Sequence, residues 1–154
     1  MNEFFFNEIR NGNVVEVTAM LKQNPMLLHS KDQRGSSPLI LATYYDQQEI
    51  VEILLNSGAK IDVKDASGNT ALMGVCFKGY ADIVKLLLEN GANVNEQNAM
   101  GATCLIYAAT FNRMEIAKLL LANGADISIR DIRGKTALDH AKIQGVQSLI
   151  DLFE

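Results

Sequence analysis

The chain has 154 residues, enough for one domain with its own core. With 48% hydrophobic and 21% charged residues it reads as soluble and globular, and no low-complexity tract points to disorder. A formal net charge of −4 argues against bulk nucleic-acid binding, which needs a basic face to release counterions from phosphates.

Phe4, Phe5 and Phe6 near the start are flanked by Glu3, Asn7 and Glu8, which is not the pattern of a secretory signal. No stretch approaches the roughly 20 apolar residues of a membrane helix, so a cytoplasmic protein is expected. Residues 1–31 predict one helix ending in Arg10-Asn11-Gly12 and a second carrying Val14, Val17, Met20 and Leu21, stopped at Asn24-Pro25. Phe5, Phe6 and Ile9 are expected to pack on the segment that begins at residue 32.

From residue 32 the chain is periodic. Gly35, Gly68, Gly101 and Gly134 each open the phrase Gly-x-Ser/Thr-x-Leu, in GSSPLI, GNTALM, GATCLI and GKTALD. Gly58, Gly91 and Gly124 form a second comb, each preceded by a leucine-rich stretch and followed by alanine. Asp32, Asp65, Asn98 and Asp131 form a third, three residues before the first glycines. All three share a spacing of 33 residues.

Residues 65–97 show what one period does. Asp65 and Gly68 predict a turn, in which aspartate bonds the local backbone. Thr70 caps a short helix that buries Leu72, Val75 and Cys76 and ends at Gly79. A second helix, about Asp82 to Asn90, carries Ile83, Val84, Leu86, Leu87 and Leu88 and stops at Gly91. Asn95 is expected in an exposed hairpin, where substitution should matter little. Neither helix reaches the roughly 12–15 residues that are marginal in water, so stability must come from stacking. Leu39, Leu72, Leu105 and Leu138 share one core column. Ala42, Val75, Ala108 and Ala141 share a second, and Ile50, Ile83, Ile116 and Leu149 a third.

A 33-residue period with this Thr-x-Leu helix start resembles the ankyrin-repeat family over essentially the whole chain. The resemblance implies an all-α solenoid of stacked helix-turn-helix units with protruding β-turn hairpins, forming a single domain over 1–154. Three full repeats (32–64, 65–97 and 98–130) are expected between an N-terminal cap, 1–31, and a C-terminal cap, 131–154. In the last, Leu149, Ile150, Leu152 and Phe153 should dock. The family often has histidine after the leucine. Here Ile40, Met73, Ile106 and Asp139 stand there, so its hydrogen bond to the neighbouring turn is expected to be absent.

No motif for chemistry is convincing. His29 and His140 lie near opposite ends, and a zinc site needs at least three converging ligands. There is no CxxC pair, HExxH, EF-hand loop, phosphate loop or GxGxxG. Neighbours on a helix such as Asp139 and His140 do not face each other, and the pair resembles the family's structural ending TALDxA. Cys76 and Cys104 are offset by about 7.5 Å along stacked helices about 8–10 Å apart, which exceeds the roughly 7 Å limit for a disulfide. Both are expected to be reduced and buried. No catalytic residue, cofactor or metal is expected.

In the resembled family partners usually bind the concave side, made of turn tips and the exposed face of each first helix. The matching positions here include Tyr44, Tyr45, Phe77, Lys78, Phe111 and Met100, with Arg34, Lys64, Arg130, Arg133 and Lys135 around them. Aromatic residues and methionine are enriched at interfaces, and every charge at these positions is positive. The expected function is therefore a non-enzymatic, monomeric module. It binds a protein partner through aromatic anchors, while the basic residues steer an acidic segment. A regulator that inhibits or neutralises an enzyme or toxin by occlusion would use the same face, and a small-molecule or nucleic-acid ligand is a further alternative. The same residues also admit a structural reading, with aromatics packed on the next repeat and basic groups as a solvated rim.

Overall fold

The computed structural model describes residues 2–154, and among them the chain forms helices and turns with no strand. The helices come in consecutive pairs: α1 (Glu3–Asn11) with α2 (Val14–Gln23), α3 (Pro38–Tyr44) with α4 (Gln48–Asn56), and α5 (Ala71–Lys78) with α6 (Ala81–Glu89). They continue with α7 (Cys104–Thr110) and α8 (Met114–Ala122), then α9 (Ala137–Gln144) and α10 (Gln147–Phe153). A 3₁₀ turn over Pro25–His29 follows α2 and buries Leu27 and Leu28, where no element is expected from the sequence.

Each pair after the first is introduced by a turn that one side-chain oxygen shapes. Asp65 Oδ1 accepts from the backbone N–H groups of Ser67 and Asn69, both at 2.9 Å. Asp32, Asn98 and Asp131 repeat the pattern through their own Oδ1 atoms. Only one oxygen is needed, which is why asparagine serves at position 98. Two residues past the glycine, Ser37, Thr70, Thr103 and Thr136 accept from the N–H three residues on and start α3, α5, α7 and α9. α4, α6 and α8 are each followed by a left-handed glycine, Gly58, Gly91 and Gly124. After α6, Gly91 donates to Leu88 and Ala92 to Leu87, which satisfies two terminal carbonyls.

The first helices of successive pairs pack closely on one another, and the second helices more sparsely outside them. The predicted columns are the core. Ala42, Val75, Ala108 and Ala141 are fully buried, as are Ile50, Ile83, Ile116 and Leu149 to within 2%. Small side chains in the first column let α3, α5, α7 and α9 approach. Phe5, Phe6 and Ile9 are buried at one end, and Leu149 and Phe153 at the other. Leu138 departs from its column and is only half-buried.

Backbone hydrogen bonds join the hairpin tips. Ala66 donates to Arg34, Ala99 to Ser67 and Ile132 to Met100, at 3.0–3.2 Å. This contact demands glycine. A Cβ at Gly68 would lie 2.9 Å from the Ala99 nitrogen, and its φ of +80° already disfavours other residues. Side chains add a second set of ties. Lys31 Nζ donates to the Lys64 carbonyl, Lys64 Nζ to that of Gln97, and Gln97 Nε2 to that of Arg130. Asn95 belongs to a third set. It donates to Gly124 at 3.2 Å and accepts from Asp126 at 2.8 Å, ties across repeats that the sequence alone does not show.

The absent family histidine is partly replaced one residue later. The Tyr107 hydroxyl accepts from Asn98 Nδ2 at 2.9 Å, and His140 Nε2 meets Asp131 Oδ2 at 2.8 Å. Burial alone pushes the Asp131 carboxyl up. Hydrogen bonds from His140 and from the backbone of Lys135 and Arg133 outweigh it and leave the group below its ordinary value.

Cys76 and Cys104 are free and buried, as expected. Cys76 lies in α5 and Cys104 opens α7. Burial first, and then the hydrogen bond with Cys104, push the Cys76 thiol well above its ordinary value.

Gly74 is unlike the other glycines. It lies inside α5, and an added Cβ would meet only the Tyr44 ring, at 3.7 Å. Glycine there costs about 0.5–1 kcal/mol relative to alanine. Gly74→Ala is therefore expected to raise stability by about that amount in urea melts, and a lowered midpoint would contradict the open space seen around it. Leu87→Ala, deep in the central repeat, is expected to cost about 2–5 kcal/mol. Asn95→Ser should cost less, about 0.5–1.5 kcal/mol, through its lost cross-repeat bonds. Equal midpoints for these two variants would place Leu87 outside the core.

The lowered Asp131 carboxyl gives a pH dependence with a definite sign. Its stabilising contribution is present above the unfolded value, near 4, and is lost as pH falls through the lower folded value. On acidification below about pH 4 the last repeat should lose amide protection before the central one, and His140→Ala should raise the Asp131 titration midpoint seen by NMR. An unmoved midpoint would contradict the assigned cause.

Candidate functional site

The side chains named from the sequence lie on the hairpin tips, in the repeat-end column and at the ends of the first helices. Tyr44 and Tyr45 end α3, Phe77 and Lys78 end α5, and Phe111 follows α7. The four aromatics are each 38–45% exposed, so about half of each ring is committed to the fold and half is offered to solvent.

They form two clusters. Tyr44 and Tyr45 meet edge to face at 5.7 Å between centroids, and Lys78 Nζ sits 4.7 Å from the Tyr44 centroid and 5.7 Å from that of Tyr80. Phe77 and Phe111 meet edge to face at 4.8 Å, and Phe111 stacks on Tyr107 at 6.1 Å. Tyr80 and Tyr107 do not stand out in the sequence, since their columns hold no aromatic in the other repeats. The signal that could have found Tyr107 is its fixed offset of nine residues from Asn98. Met100 and Ile132 are exposed on adjacent hairpin tips joined by a backbone bond.

Between tips and helices runs a groove of about 620 Å³. Its walls are Ile40, Leu41, Tyr44 and Tyr45 on one side and the turns around Arg34 and Ala66 on the other, with Glu3 and Arg10 at one end. Arg10 Nη2 approaches Asp32 Oδ2 at 3.5 Å, so the end of the groove near α1 carries both signs of charge.

The basic residues are not equivalent. Lys64 is held by the Gln97 carbonyl and by Glu96, at 3.1 Å. Arg130 donates to the Gly134 carbonyl at 2.7 Å and lies 3.8 Å from Asp139. Asp139 itself is held below its ordinary value, first by the backbone N–H of Thr136 in a capping box. Arg34, Arg133 and Lys135 make no side-chain ion pair among the described residues, and Lys78 is engaged only with aromatic rings. Of the named basic residues, Arg34, Arg133 and Lys135 therefore carry unpaired charge on the hairpin tips.

Among the described residues, no group of three or more His, Cys, Asp or Glu side chains could hold a metal ion. None of the described helices is long and apolar enough to cross a membrane.

No curated protein matches the chain. A family model of ankyrin repeats, three copies, matches residues 6–65 and 61–131, which together span well over half of the sequence. The period, the turn and cap chemistry, the paired helices and this match agree: the chain belongs to the ankyrin-repeat family.

Proposed function

We propose that the protein binds a protein partner through its concave face, and that it does so without catalysis. Ankyrin repeats are in general protein–protein interaction modules. The observation that carries the proposal for this chain is the set of half-exposed rings along one face. Rings held edge to face are already immobilised, so they lose little conformational entropy on binding. Tyr44, Tyr45, Phe77, Phe111 and Met100 are the proposed anchors. Arg34, Arg133 and Lys135 are the charges free to steer an acidic stretch of the partner, because Lys64 and Arg130 are held within the fold. Three full repeats between capping ends, 1–31 and 131–154, would present this face as one surface.

Affinity capture from the native organism, repeated with variants, tests the proposal. Tyr45→Ala is expected to speed dissociation and to cost at least about 2 kcal/mol at a true hot spot. Phe77→Ala should act similarly, with a parallel stability measurement, because it also removes the edge contact with Phe111. Reversing Arg34, Arg133 and Lys135 to glutamate should slow association and flatten its salt dependence. Exposed Glu52, Glu89 and Glu115 lie on the second helices, and changing all three to lysine should matter less. A partner released only by that control set would refute the concave-face assignment. Stoichiometric loss of a captured enzyme's activity would identify an occluding regulator.

A further inference from the structure

Nine residues after the turn residues Asp32, Asp65, Asn98 and Asp131 stand Leu41, Gly74, Tyr107 and His140. In three of the four repeats the turn residue's second polar atom has a side-chain partner. The Arg10 guanidinium donates to Asp32 Oδ2 at 3.5 Å, Asn98 Nδ2 donates to the Tyr107 hydroxyl at 2.9 Å, and His140 Nε2 meets Asp131 Oδ2 at 2.8 Å. Asp65 is the exception. Its Oδ1 shapes the turn as elsewhere, but no group among the described residues donates to Oδ2. The position that supplies the partner in the last two repeats is here a glycine with no side chain.

The gap over Gly74 has defined surroundings. A Cβ at Gly74 would meet the Tyr44 ring at 3.7 Å and nothing else within 4 Å. Tyr44 and Asp65 line the same groove. The Tyr107 phenol is raised above its ordinary value, chiefly by burial, with the Asp65 charge adding to the effect. One turn along α5, Lys78 already rests on the Tyr44 ring, so that ring accepts a cation. Helix stability is given up at this one position of the column, which no packing contact requires.

We propose that this gap is a subsite for an arginine side chain of the bound protein segment, its guanidinium bonded to Asp65 Oδ2 and set against the Tyr44 ring. The inference rests on the concave face being the binding surface and names one side chain that this face takes. The chain itself indicates the chemistry. Its other unshared turn carboxylates are met by flat, multi-donor groups, a guanidinium at Asp32 and an imidazole at Asp131. A partner carboxylate here would face Asp65 directly, and an apolar side chain would cover its oxygen without a donor. Arginine offers a planar fork that can bond the carboxylate and lie against an aromatic ring together.

The test uses N-acetyl-arginine amide titrated into the isotope-labelled protein and followed by backbone amide shifts. Saturable shifts centred on Asp65, Gly74 and Tyr107 are expected, with N-acetyl-citrulline amide at least about tenfold weaker because it lacks the charge. Gly74→Leu fills the gap with the residue that Leu41 provides in the same register, and Asp65→Asn keeps the turn as Asn98 does. Both should stay folded, with melting midpoints near or above the parent, and lose arginine binding at least about tenfold. Absence of saturable binding, equal binding of citrulline, or retention by Gly74→Leu would overturn the subsite. A native partner released by Tyr45→Ala but indifferent to Gly74→Leu and Asp65→Asn would remove the subsite and leave the groove standing. Indifference to all three would remove both.

Discussion

The close approach of one hairpin to the next governs the rest of the molecule. Ala66, Ala99 and Ile132 each donate a backbone hydrogen bond to the preceding tip, and the glycine beside that bond has no room for a Cβ. Once the tips are locked at this spacing, the first helices beneath them must also lie close, which only small residues such as Ala108 and Ala141 permit. The helices are too short to persist alone. Turn, helix and interface are therefore one cooperative unit, and each repeat is ordered by its neighbours.

The same spacing divides the charged residues into two groups. Lys31 and Lys64 lie in the repeat-end column, where the carbonyl of the next repeat is within reach, and each is used as a rung between repeats. Arg34, Arg133 and Lys135 sit at tips, where no neighbour is available. Position within the period, more than residue type, decides which cation is structural and which is free. An acidic chain thus exposes unpaired positive charge on the one surface where rings are also half exposed. The arrangement separates the energy of holding the stack together from the energy available to a partner.

Most of the fold was legible in the sequence because its determinants are local and repeated. Asp65, Gly68, Thr70 and Gly91 each act within a few residues, and the period shows which combinations belong together. The features that were not legible depend on contacts across repeats. Asn95 looks like a hairpin residue until the neighbouring Gly124 carbonyl is placed beside it. The 3₁₀ turn at Pro25–His29 has no counterpart in other repeats, so no column announced it. The candidate face was legible as a set of positions. Its division into two aromatic clusters and the gap at Gly74 required side-chain geometry.

The two thiols between α5 and α7 give the central interface a chemical memory. While the repeats are stacked, both sulfurs are fully buried and the Cys76 proton is held tightly, so electrophiles and oxidants find no access to either sulfur and no thiolate at Cys76. Separation of these two repeats removes both protections at once. An adduct or oxidised sulfur formed during such an opening adds volume and polarity to a site packed to van der Waals contact, and the interface then resists closing. Rare openings that are individually reversible become cumulative, and the fraction of labelled thiol in an aged sample records how often its middle has come apart.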